Sequence, residues 1–152
     1  MPLPTPPTPN LAQRLTEVVA LGLGNPSRML TPSRLTYDFD LRPPLGRTYR
    51  CRLVFERQKP PSFVVLSPNL HELAGGRTLP HIYPDKLGGV TLCLWWPKGR
   101  EWTRAMRIRD TYLPWAIEWL TYFEDWLFSN DWRGGGVHAG THTDWRPACA
   151  ES

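Results

Sequence analysis

The sequence predicts an α+β domain, and three observations carry that prediction. They are an amphipathic helical pattern near the start, a series of strand patterns in the middle, and a long aromatic-rich helical pattern toward the end. At 152 residues the chain suits one domain, long enough to bury a core without disulfides or a metal. Its 41% hydrophobic and 21% charged content is ordinary for a soluble protein, whereas 8 Trp and 17 Pro are not. Aromatic packing and rigid turns follow.

Residues 1–9 are proline-rich and form no helix, so they read as a flexible lead-in. Asn10 is a good helix N-cap. Leu11, Leu15, Val18, Val19 and Leu23 then follow helical spacing, with Gln13, Arg14 and Glu17 outside, until Gly24-Asn25-Pro26 ends the pattern. An antiparallel meander of about four strands comes next. Leu35, Tyr37, Phe39 and Leu41 alternate with polar residues, as do Tyr49, Cys51, Leu53 and Phe55, and Phe63 to Leu66 is continuously apolar. Pro43-Pro44-Leu45-Gly46 and Lys59-Pro60-Pro61 supply the turns. Pro68 to Pro80 reads as loop. The last firm element is a helix from about Thr111 to Phe128, with Asp110 or Thr111 able to cap it and Pro114 in its first turn. Glu118, Thr121, Glu124 and Asp125 form a narrow polar stripe, and the aromatics around it read as core. The domain is expected over residues 10–138, with a polar tail over 139–152.

The net charge of +4 rests on fifteen Arg and three Lys, namely Lys59, Lys86 and Lys98, which suits a weakly acidic partner rather than a nucleic acid. Cys51, Cys93 and Cys149 are odd in number and lack a CxxC pair, so neither a disulfide framework nor a structural zinc is expected, and a reducing cytoplasm fits best. His138 and His142 have ligand-like spacing but lie in Gly/Thr sequence without a cysteine pair, so no metal is expected there. The start lacks the features of a signal peptide, and no run approaches the length of a membrane span. Papain-like order, the zinc-deaminase signature, CxxC redox chemistry and a P-loop are all missing, so the expectation is no cofactor and no nucleotide site.

What chemistry the chain has is expected between Leu79 and Trp102, which reads LPHIYPDKLGGVTLCLWWPKGREW. Turn residues there deliver Cys93 at the end of the short apolar run Val90 to Leu94. From the residues alone, Cys93 is either a nucleophile or a buried strand cysteine. Cys51 lies on the alternating apolar face with Tyr49, Leu53 and Phe55 and reads as structural.

The order of elements, with Leu79-Pro80-His81-Ile82-Tyr83 ahead of Cys93-Leu94 and Trp102 beyond, resembles the ubiquitin-conjugating (UBC) fold over about residues 10–138. The runs HIYPD, TLCLWWP, PWAIEWLTYFEDWL and WRGGGVH are similar to the stand-alone bacterial members found with short type II CBASS antiphage systems. His81 stands where the eukaryotic motif has Asn, and Lys86 to Gly89 is an insertion that suggests a flap beside the thiol.

The resemblance implies a transferase. Cys93 would hold the C-terminus of a cGAS-like nucleotidyltransferase as a thioester and pass it to a lysine. His81 would donate a hydrogen bond to the oxyanion, act as base, or shape the loop. Trp95 and Trp96 flank the thiol, and alternation sends one inward and the other toward a bound tail; Tyr83 and Asp85 are further candidates for tail binding, their alternatives being packing and turn capping. Arg100, Arg104, Arg107 and Arg109 form either a solvated face or an acidic-partner patch. Two other readings stay open, conjugation of a bacterial ubiquitin-like modifier and a catalytically silent binding module.

Overall fold

A computed structural model describes residues 3–4 and 8–134. Helix α1 (Leu11–Val19) begins with a capping box, in which Asn10 and Gln13 each accept the other's backbone N–H at 2.8 Å. It ends before Leu23, because Gly22 turns the chain at φ +64° and Leu23 leads into a strand. Arg14, expected outside, is buried at 5% exposure. Its guanidinium donates to the carbonyls of Arg104 (2.7 Å) and Met106 (3.0 Å), pairs with Glu17 and lies over the Phe55 and Trp102 rings. A fork of donors thus satisfies a loop that would otherwise need water, which is how a charged side chain comes to be buried.

The sheet has six antiparallel strands rather than about four. They are β1 (Gly24–Leu30), β2 (Arg34–Leu41), β3 (Tyr49–Glu56), β4 (Ser62–Ser67), β5 (Ile82–Tyr83) and β6 (Val90–Leu92), in the order β1-β2-β3-β4-β6-β5. Strand β1 is exposed along its whole length and carries Gly24 and Pro26, so nothing in it alternates; β5 is two residues long. Both are edges, where pattern is weakest. The supposed loop after β4 holds a short helix, α2 (Leu70–Ala74), whose N–H groups at His71 and Glu72 are met by the Asn69 side chain.

Helix α3 (Tyr112–Ser129) matches the aromatic pattern closely. Thr111 sits at its N-cap without capping it, since the hydroxyl donates to the Arg107 carbonyl at 2.7 Å instead. Ala116, Trp119, Leu120 and Phe123 join the inner residues of the sheet in one buried cluster, whereas Phe128, in the last turn, is 88% exposed. Cys51 lies inside that cluster, and burial pushes its thiol well above the usual range.

Strands β5 and β6 form a hairpin in which Ile82 faces Leu92 and Tyr83 faces Thr91. Lys86 to Gly89 is therefore the tip of this hairpin and not a flap beside the cysteine. Cys93 closes the opposite end, at least three residues or about 10 Å away along the strand. The tip is anchored. Arg52, itself paired with Asp38, reaches the Leu87 carbonyl at 3.3 Å, and Gly89 runs so close to β4 that a Cβ would overlap the Val65 carbonyl. Replacing Gly89 by Ala must push the tip off the sheet. Gly89→Ala should cost about 1–3 kcal/mol in urea denaturation and speed amide exchange at Val90 to Leu92; an unchanged midpoint would show that the close approach is not needed.

Candidate functional site

The alternation of β6 places Cys93. Val90, Leu92 and Leu94 belong to the buried hydrophobic cluster, while Thr91 and Cys93, between them, do not. The Cys93 side chain therefore lies on the outer face of the hairpin. This separates it from Cys51, which is part of the core. The Cys93 N–H donates to the His81 carbonyl at 2.9 Å, so the two residues stand opposite each other where the hairpin opens.

His81 adopts a left-handed backbone, φ +50°, a conformation that costs energy for any residue with a Cβ. Its carbonyl also accepts the Trp119 indole N–H at 3.2 Å, and its ring packs against Trp132 with centroids 5.7 Å apart. Trp132 in turn packs on Trp119. His81 is 6% exposed and Cys93 2%. Attack on an acyl group requires Cys93 as the reduced thiol. In that form the S–H faces the Trp95 carbonyl, 3.5 Å from Sγ.

Of the two tryptophans after Cys93, Trp95 turns inward. Its indole N–H donates to the Tyr112 hydroxyl at 2.9 Å, and that hydroxyl donates to the Pro61 carbonyl at 2.7 Å. Burial holds the Tyr112 phenol neutral by raising it above its ordinary range. Trp96 is 38% exposed and sits at the head of a tight turn, its N–H bonded to Glu101 and its carbonyl to the Gly99 N–H.

Tyr83 is half-buried in β5, and desolvation raises its phenol. Asp85 lies in the hairpin tip, where its carboxylate meets His71 Nε2 of α2 at 2.9 Å. Strand pairing thus sets His81 opposite Cys93 and Tyr83 opposite Thr91, and leaves Asp85 at the far end. Arg104 donates to the Gln58 carbonyl at 2.6 Å and Arg109 pairs with Asp110, while Arg100 and Arg107 are exposed. Trp119, Trp132 and Tyr112 shape the site without having been singled out for it. Trp119 read as core with its helix neighbours and Trp132 only as part of the segment that closes the helix, and no sequence signal shows which carbonyl an indole will reach. His138, His142 and Cys149 lie outside the described residues. Among the described residues no group of His, Cys, Asp or Glu could hold a metal, and no helix is long and apolar enough to cross a membrane.

No curated protein matches the chain. A family model described as "Type II CBASS E2 protein" matches residues 23–139, which takes in the whole sheet, the Cys93 hairpin and all of α3. The chain belongs to the type II CBASS E2 protein family.

Proposed function

We propose that this protein is a ubiquitin-conjugating-like acyl transferase with a UBC fold, and that Cys93 is its acyl carrier. The observation that carries the reading is the placement of Cys93 on the outer face of its strand, outside the hydrophobic cluster and opposite His81. A cysteine of that cluster would lie with Val90 and Leu92, as Cys51 does with Leu53.

The chemistry is that of a thiol. The Cys93 thiolate attacks the carbon of an activated carboxyl, forming a C–S bond as the leaving group departs. An amine then attacks the thioester, a C–N bond forms, the C–S bond breaks and the thiolate is regenerated. His81 serves as hydrogen-bond donor to the oxygen on which charge develops. Trp96, exposed and close in sequence after Cys93, is the wall for the incoming tail, and Tyr83 extends it; Trp95 braces that wall from within through Tyr112. Asp85 contributes at the hairpin tip, farther along the tail's path. Membership of the CBASS family supports a cGAS-like nucleotidyltransferase as the protein whose C-terminus is carried, with a lysine as acceptor.

Co-expression with that nucleotidyltransferase, followed by intact-mass measurement with and without reductant, tests the assignment. The wild type should give an adduct that reductant removes, and Cys93→Ala should give none; an adduct that survives the substitution means another residue carries the acyl group. His81→Ala should slow transfer by about tenfold or more. His81→Asn, which tolerates the left-handed backbone and keeps a donor, should recover most of the rate. Equal losses of rate and thermal stability in both variants would instead assign His81 to shaping the loop.

A further inference from the structure

Thr91 stands on the strand next to the sheet's β5 edge, with Val64 of β4 on one side and Tyr83 of β5 on the other. It is 5% exposed, and its hydroxyl is buried without a hydrogen-bond partner among the described residues. The site is isosteric with valine, and its strand neighbour on β4 is a valine. A hydroxyl kept there gives up water and gains no partner among the described residues, so valine would serve that part of the fold better. A buried polar group left unanswered in a native structure calls for a reason, and a catalytic role is one of the few available.

The position supplies that reason. Thr91 and Cys93 are separated by one residue on an extended strand, so their side chains share the outer face about 7 Å apart. Neither belongs to the hydrophobic cluster. An acyl carbon bonded to the sulfur carries its oxygen into the interval between the two side chains. We propose that the Thr91 hydroxyl is a catalytic hydrogen-bond donor to the oxyanion that forms when Cys93 accepts an acyl group. The inference rests on the acyl-carrier reading of Cys93 and adds a second donor beside His81. In the step, the Cys93 thiolate forms the S–C bond and the carbonyl π pair moves to oxygen, where Thr91 meets it. Collapse of that intermediate restores the carbonyl and expels the leaving thiolate, which takes up a proton from solvent in place of the one Cys93 released.

The test is a transacylation with a small probe, N-acetyl-glycylglycine as its mercaptoethanesulfonate thioester, on the full chain reduced with a phosphine. Charging is followed by intact mass, and thermal midpoints are recorded alongside. Thr91→Val should charge about tenfold or more slowly than wild type, with an unchanged or raised midpoint. Thr91→Ser, which keeps the hydroxyl, should remain within about threefold of wild type. Wild-type charging by Thr91→Val, or equal slowing by both variants, overturns the proposal while leaving the carrier in place, provided Cys93→Ala is not charged. Charging of Cys93→Ala at the wild-type rate removes both.

Discussion

The carbonyl oxygen of His81 is the point on which the site depends. It accepts two hydrogen bonds, one from the Cys93 backbone and one from the Trp119 indole, and so ties the base of the hairpin to the long helix. A backbone held at φ +50° does not persist unless its surroundings fix it. Here the two bonds to the carbonyl and the packing of the ring on Trp132 do the fixing. The buried face of α3 therefore reaches the chemistry directly, since a change in how Trp119 packs would move the residue opposite the sulfur.

A second constraint follows from the two-residue period of a strand. Strand β6 is three residues long, yet it must feed the core on one face and the site on the other. Val90, Leu92 and Leu94 take the inner face, and Thr91 and Cys93 take the outer one. A shift of register by one residue would exchange the two sets, moving the thiol into the hydrophobic cluster and the leucines out of it. The close passage of Gly89 over Val65, together with Arg52 on the Leu87 carbonyl, prevents such a slip by fixing the hairpin at its tip.

Much of this was legible in the sequence where physical pattern is strong. The alternation in β2 and β3 and the aromatic spacing of α3 located those elements nearly to the residue, and Asn10 announced the start of α1. The stretch around Cys93 was marked by its turn residues. What pattern did not reveal lies at edges and in long-range polar contacts. Strand β1 faces solvent and has no buried side to alternate with, and β5 is too short to show a period. Arg14 looked like a surface residue because its partners are carbonyls some ninety residues away. The Lys86 to Gly89 insertion looked like a flap because spacing along the chain does not say which end of a hairpin a cysteine occupies.

The reading of Cys93 as acyl carrier is tested most directly by finding where the acyl group sits. Proteolysis of the reductant-labile adduct at mildly acidic pH, followed by fragment-ion mapping, should place the group on the Cys93 side chain and on no other residue. Acylation found instead on another cysteine or on a lysine, with Cys93 unmodified, would contradict the account.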